Sequence, residues 1–416
     1  MLTLIRGNKN YQRLLLSQII SQLGDGITRV LLLFLIGTST DNPLLISLVI
    51  FIQVLPATFS SLFTGAIADR YSRKRIMLYS DIYRMVIILC MIPFLYSPYI
   101  LLILLGLHGI GTAFFDPARS ASIPTIVGEE KMSEAVGISQ SIYSAMQIIG
   151  PAIGGLILIN DRFIISIIID AMTFFLSAVL ISKLEYQTTP VHTSYEPYLQ
   201  SIKNGLLTVN KIPSLKFLLL ILVPISLSLG ILNSNLVSVL LQVIKVPATH
   251  FGFLEGILGI GAIIGSLVGV RLMKKFAPNH ILLAGIFLTG IILGLILFLT
   301  HAVNQFGYTP VYSWCLLIGL LNALLTLPIN SLFILTTPES YRGRASSILI
   351  TSNNLSLIIG LFLGGVLSQI VGVLYGTAIT GGLLLILSLI LPLLKGYKTF
   401  SSKSDKEIIV DKGVES

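Results

Sequence analysis

Apolar residues run through this chain in blocks separated by short polar stretches. A bilayer crossing needs about 20 mostly apolar residues, and by that measure the pattern predicts twelve helical spans. The first six lie at approximately 11–38, 43–67, 76–97, 99–118, 133–158 and 163–184. A polar stretch at 185–212 follows, with Glu185, Thr188, Thr189, Pro190, His192, Glu196 and Pro197. Six more spans lie at approximately 214–243, 247–273, 279–301, 310–337, 345–371 and 373–395. The expected fold is an all-α membrane protein with twelve transmembrane helices in two six-helix, pseudo-symmetric bundles, residues 1–184 and 213–395. A cytoplasmic linker at 185–212 joins them, and the charged tail at 396–416 has the composition of a disordered segment.

Some spans carry a polar stripe at helical spacing. Gln18, Gln22, Asp25 and Arg29 share one face of the first; His108, Thr112, Asp116 and Arg119 share one face of the fourth. Gln140, Ser144 and Gln147 repeat the pattern in the fifth. In the second half the stripes are Ser226, Gly230 and Asn233; Asn322, Thr326 and Asn330; and Ser347, Thr351 and Asn354. A helix packed only against lipid and apolar neighbours has no use for such a stripe, whereas one lining water does. Spans one, four, seven and ten, helped by five and eleven, are expected to surround a polar cavity, with the third of each triplet as outer wall. Asp170 in the sixth span has no place in this scheme. The alternative for any single stripe is that its Ser, Thr or Asn joins helices by hydrogen bonds.

Composition supports the membrane reading. Hydrophobic residues make up 54% of the chain, charged residues 11%, and the mean hydropathy is +0.91, whereas soluble domains are about one-quarter charged. The net charge of +9 reflects orientation rather than nucleic-acid binding. Arg29 and Arg84 fall within spans, and only Arg162 and Lys245 fall in loops on the far side; the other Lys and Arg lie on one side. The positive-inside bias makes that side cytoplasmic and places both termini there. The first span, entered through Arg6, Lys9 and Arg13, reads as retained rather than as a cleaved signal. Cys90 and Cys315 sit in apolar stretches with no metal-ligand spacing, so they are expected to pack, and no metal site is expected.

The loop after the second span, Gly65-Ala-Ile-Ala-Asp69-Arg70-Tyr-Ser-Arg73-Lys74-Arg75, is the most charged turn between spans. A worn copy lies 200 residues on, where Gly265, Lys274 and Lys275 meet Gly65, Lys74 and Arg75 while Gly269 replaces Asp69. Pro117 and Pro328 head a second repeated pair. A parallel repeat of two six-span halves is one large transporter architecture.

On these residues the chain resembles the major facilitator superfamily. Its loop matches the signature between the second and third spans, with Ser72 where the family has Gly. Gly150-Pro151-Ala-Ile-Gly154-Gly155 in the fifth span is similar to the exporter motif of its drug and proton antiporters, with Met146 where a further Gly is usual. Asp25 matches the acidic position of several proton-driven exporters. The chain also resembles the branch of macrolide-type exporters and the enterobactin exporter, through Gly111-Thr-Ala-Phe, Pro124-Thr-Ile-Val, Pro338-Glu-Ser-Tyr-Arg342-Gly-Arg344 and Ile169-Asp170.

The resemblance implies a gating role for Gly65, Asp69 and Arg70, with Asp69 capping the eleventh span and pairing with Arg344. Arg73 is in reach of Asp116. Gly150, Gly154 and Gly155 are expected to admit a neighbouring helix closely, and Pro151 to bend its own. A carboxyl in an apolar span is costly to keep ionised, which makes Asp25 a proton carrier; the alternative is a static Asp25–Arg29 ion pair. His108 stands where the family usually has Arg, and histidine can change charge near neutral pH; it is either a second proton site or a core hydrogen-bonder. Glu255 is a further buried carboxyl that could take a proton or a substrate cation. Asp81 and Arg84 read as structural partners.

The implied function is proton-coupled export of amphipathic small molecules, macrolide-like drugs first, by alternating access from a bacterial plasma membrane. The expected partners are cargo, protons and lipid, with a monomeric chain, no nucleic acid and no cofactor beyond the proton gradient. Alternatives of the same fold are a siderophore exporter and a lipid or glycolipid flippase. An enzyme would need a nucleophile or metal cluster, and a nucleotide-driven pump would need a phosphate-binding loop; neither motif is present. A receptor role lacks a soluble domain.

Overall fold

Helix starts and stops follow local chemistry. The computed structural model describes residues 7–68, 72–158, 163–185, 213–337, 342–394 and 397. Helix α1, Lys9–Ser39, begins where the Asn8 side chain accepts from the Tyr11 amide at 3.0 Å, satisfying one of the helix's orphan donors. Helix α2 is Pro43–Ala68, and α3, Arg73–Cys90, is capped by Ser72 in the same way as α1. Helix α4, Pro98–Val127, has Pro at its first position, where a missing N–H costs nothing, and ends at Gly128 with φ +80°. Helices α5, Met132–Ile157, and α6, Phe163–Ser182, complete the first half.

Helix α7, Pro213–Ser238, runs into a π-helical turn at Val239–Val243. It is followed by α8, Ala248–Met273; α9, Pro278–Gly294; and α10, Ile296–Phe306. The last three are α11, Thr309–Thr336; α12, Arg342–Val371; and α13, Val373–Ile390. Gly372, at φ +89°, makes the turn between α12 and α13, in a region that favours a residue without Cβ.

Nine helices among the described residues are long and apolar enough to cross a membrane, and a tenth crossing forms if α9 and α10, bent by 57°, count as one broken span. Helices α2 and α5 occupy the positions expected for the second and fifth spans. Large apolar side chains such as Ile103, Ile370 and Leu389 stand exposed along the helices, as lipid contact requires. Asp69, Arg70, the linker at 186–212 and the tail from 398 lie outside the described residues, and Gly65 and Arg344 are placed only as positions on α2 and α12.

Two compact units are present. The first gathers Met1–Tyr198, Asn233–Ile257 and Leu361–Val373; the second gathers Leu199–Leu232, Leu258–Gly360 and Leu374–Ser416. They cut across the sequence halves, because the ends of α7, α8 and α12 belong to the first unit.

In the first unit α1 packs along α5 and α6, α2 along α4, and α3 along both α4 and α6. Glycines set the closest approaches. A Cβ at Gly150 would lie 3.0 Å from the Gly26 Cα, one at Gly154 would lie 3.0 Å from the Ile27 Cα, and one at Gly155 would overlap Gly252. The expected close-packing role of Gly150, Gly154 and Gly155 therefore has identified partners, two on α1 and one on α8. At the end away from Arg73 the unit is closed by paired hydroxyls of Ser47 and Ser234 at 2.5 Å. Gln242 there donates to the Thr40 carbonyl at 2.9 Å, and the Phe51 ring lies tilted against that of Phe362, 6.3 Å between centroids.

The opposite end is laced by basic side chains on helix C-termini. Arg73 donates to the Ala121 carbonyl at 2.5 Å and to the Thr125 hydroxyl at 3.1 Å. Lys74 donates to the Leu184 carbonyl at 2.8 Å, and Arg13 to the Lys183 carbonyl. The sequence put Asp116 within reach of Arg73, but Asp116 lies instead 3.7 Å from Arg119 on its own helix. Arg73 is taken up instead by the Ala121 carbonyl and the Thr125 hydroxyl in the last two turns of α4.

In the second unit α9 packs along α11. Gly261 and Gly265 of α8 lie against α11, and Gly319 of α11 against Leu258.

Candidate functional site

The first unit encloses a cavity of about 340 Å³ between α1, α2, α3, α4 and α5. Of the stripe residues, Gln22, Asp25, Arg29, His108, Thr112 and Asp116 line it, and so do Arg84, Gln53, Tyr143 and Gln147.

Arg84 is the centre of the charged wall. It is 1% exposed, and its guanidinium lies between the rings of Phe115 and Phe174, 4.5 and 4.4 Å from their centroids. The ring faces are negative and attract the cation. One arm of the guanidinium is ion-paired with Asp81, itself 0% exposed and accepting from the Ser177 hydroxyl at 2.6 Å. The other arm is 3.6 Å from Asp25. Asp25 also lies 3.6 Å from His108 Nε2, and the His108 ring packs on Phe174 at 5.5 Å. Unlike Asp81, Asp25 is open to the cavity, with its side chain 32% exposed.

Asp170 now has a place. It is fully buried beside α1, where a Cβ at Gly24 would overlap its carboxyl. The Thr173 hydroxyl lies 3.2 Å from its Oδ1. Among the described residues no Lys or Arg lies within ion-pair distance of it.

The alternative Asp25–Arg29 pair is not what forms. Arg29 turns to Glu255, 3.9 Å away and brought to α1 by the start of α8, and donates to Gln147 at 3.4 Å. One helical turn separates Asp25 from Arg29, yet each finds its partner on a different helix. Exchanging Arg29→Met and Glu255→Gln singly and together should show a coupling of about 1 kcal/mol in thermal unfolding. Additive losses would mean that the two charges do not sense each other.

Gln18 does not line the cavity. It is 1% exposed and accepts from Arg119 at 2.9 Å and from Ser139 at 2.8 Å, joining α1, α4 and α5. Its stripe continues the Asp25 face, but lower down that face meets α5 rather than water. Gln140 and Asn233 are exposed and Asn322 is half-buried, and none of the three lines the cavities described here.

A second cavity, of about 350 Å³, lies within the second unit between α7, α11 and α12. Thr326 and Asn330 line it, and Asn353 does so where the stripe had pointed to Asn354. Adjacent helix positions differ by about 100° in direction, so a one-residue shift changes the face. Arg84 and Asn353 are the residues that periodicity undervalued. A lone arginine in an apolar span, three residues after a lone aspartate, was the available signal for the first.

Residues 6–408 match the profile of a family described as transmembrane secretion effector. The uncharacterized MFS-type transporter YfiS of Bacillus subtilis (strain 168) is 28% identical over 395 residues, covering 93% of each chain. Macrolide efflux protein A of Streptococcus pyogenes is 22% identical over 393 residues, covering 93% of this chain and 96% of that one. The crystal structure of nucleoside transporter NupG (D323A mutant) aligns with a TM-score of 0.74 at 14% identity, over 95% of this chain and 100% of that one. That likeness establishes a shared fold.

Proposed function

The chain belongs to the transmembrane secretion effector family of major facilitator transporters, and from that premise we propose that it exports amphipathic small molecules in exchange for protons. It is an integral membrane protein and a transporter, not an enzyme, with efflux-type relatives. The reading adds twelve spans in two bundles, alternating access, a bacterial plasma membrane and the Arg73–Arg75 end in the cytoplasm. The end closed by Ser47 and Ser234 is then the outer one.

One observation carries the coupling: Asp25 shares Arg84 with Asp81 and is the member of that pair which water can reach. Two carboxyls, those of Asp25 and Asp81, share one permanent cation. Buried charge without a counter-charge is costly. Asp81 takes the closer arm of Arg84 and a hydroxyl donor, so Asp25 is the carboxyl left to exchange its proton with the cavity. Protonation removes its attraction for Arg84, and ionisation restores it. That alternation gives the helices α1, α3 and α4 two arrangements to choose between, as coupled transport requires. His108 lies against the other Asp25 oxygen and, packed on Phe174, helps to hold that carboxyl in place.

The test is reconstitution. Purified protein in proteoliposomes should accumulate radiolabelled erythromycin against its gradient when an opposing proton gradient is imposed, with proton flux read by an internal dye. A protonophore should stop accumulation. Erythromycin movement indifferent to the protonophore would sink the coupling and leave only transport.

A further inference from the structure

The two cavities differ in charge. The one in the first unit is lined by Asp25, Asp116, Arg29, Arg84 and His108; the one in the second unit has no ionisable residue in its wall among the described residues. Its wall is aliphatic and aromatic, with Phe333 and Ile350 among its members, interrupted by a few neutral polar groups. A pocket of this kind, mostly apolar with a small number of convergent hydrogen-bonding groups, is how proteins hold small molecules.

Its polar groups are arranged. Ser226, 1% exposed, donates to Asn353 Oδ1 at 2.7 Å. That bond fixes the orientation of the amide, with its NH2 as the donor offered to the cavity. The Thr326 hydroxyl donates back to the Asn322 carbonyl at 3.1 Å, which leaves its lone pairs as acceptors. Asn330 stands exposed at the edge and offers both functions.

We infer that this cavity is a binding site for uncharged molecules that carry a carbonyl or similar acceptor on a bulky apolar body. A cation or anion entering it would lose hydration with no counter-charge in the wall, which is expensive. A hydrocarbon without an acceptor would leave the Asn353 NH2 desolvated and unpaired, which also costs. The neutral acceptor avoids both losses. The inference rests on the export reading and narrows its cargo to uncharged forms, erythromycin entering with its amine deprotonated: recognition is done by groups that do not titrate, in a different unit from the carboxyls that do.

Progesterone is a suitable probe, being neutral, rigid and a diketone; tetraphenylphosphonium is its lipophilic cationic counterpart. The full chain in nanodiscs, with no proton gradient, is photolabelled with a diazirine derivative of progesterone, and the labelled peptides are located by mass spectrometry. Labels are expected on α7, α11 and α12 around Ser226, Asn330 and Asn353, displaced by progesterone and not by tetraphenylphosphonium. Asn353→Leu should weaken tritiated progesterone binding roughly 3- to 10-fold, the range for one neutral hydrogen bond.

Labels confined to the α1–α4 cavity, displacement by tetraphenylphosphonium at equal concentration, or unchanged affinity in Asn353→Leu would each overturn the assignment. If Asn353→Leu does not fold, the wild-type labelling and competition decide alone. Because binding is read without a gradient, a failed label beside working proton-driven transport removes this site only. A clean label with gradient-independent transport removes only the coupling.

Discussion

Arg84→Met is expected to be the most destabilising single substitution in the first unit. The methionine roughly fills the space between Phe115 and Phe174 but strands Asp81, which is 0% exposed and would keep only the Ser177 hydroxyl. Removing one partner of a buried ion pair costs about 3–5 kcal/mol, and the cation held between two rings contributes about 2 kcal/mol more. Against a typical folding stability of about 5–15 kcal/mol, most of the protein should be lost as monodisperse material after mild heating in detergent, read by fluorescence-detected size exclusion. Adding Asp81→Asn to Arg84→Met should recover a large part of the loss, because the stranded charge goes with it. Asp25 needs no such rescue, since it opens to the cavity and can take water. Arg84→Lys should fall between: a single ammonium cannot serve Asp81 and Asp25 with two arms, nor stack flat on both rings. Wild-type stability in Arg84→Met would show that the cluster is not held by charge.

Asp25→Asn should leave the fold intact and remove the link between cargo and protons. The amide has nearly the same shape, keeps a donor or acceptor toward His108 and Arg84, and takes away only the charge that comes and goes. Uphill accumulation of erythromycin in proteoliposomes should fall roughly 10- to 100-fold, the factor matching the 1.5–3 kcal/mol of a charge-assisted hydrogen bond. Cargo exchange down its own gradient should persist, and proton flux should become independent of cargo. Asp170→Asn makes the informative comparison. That carboxyl is fully buried and faces Thr173 rather than the cavity, so a lost link there with Asp25→Asn unaffected would move the proton site from α1 to α6.

Much of the site is legible in the residue pattern. Asp25, Arg29, His108, Thr112 and Asp116 were marked by polar stripes and do share one cavity wall. Gly150, Gly154 and Gly155 were marked by their motif and do meet backbone. Partnership was not visible. Arg29 stands one turn from Asp25, and spacing alone would pair them, but Arg29 goes to Glu255 and Asp25 to Arg84. Gln18 shares a stripe with Asp25 but is sealed under Arg119 and Ser139.

What the chain's order of residues determines alone is local and periodic: where an apolar run is long enough to cross a membrane, which caps and glycines end it, and which face of each helix is polar. These follow from rise per residue, backbone valence and the cost of bare peptide groups in lipid, all of which act within a single helix. Which charge meets which, and which amide a cavity can reach, depends on the rotation and height of each helix against its neighbours. That is settled by packing small residues such as Gly24, Gly26, Gly111 and Gly252 against other helices. A pair of atoms 3 Å apart can come from residues a hundred positions apart, and only the tertiary structure brings Arg84 between two rings and two carboxylates.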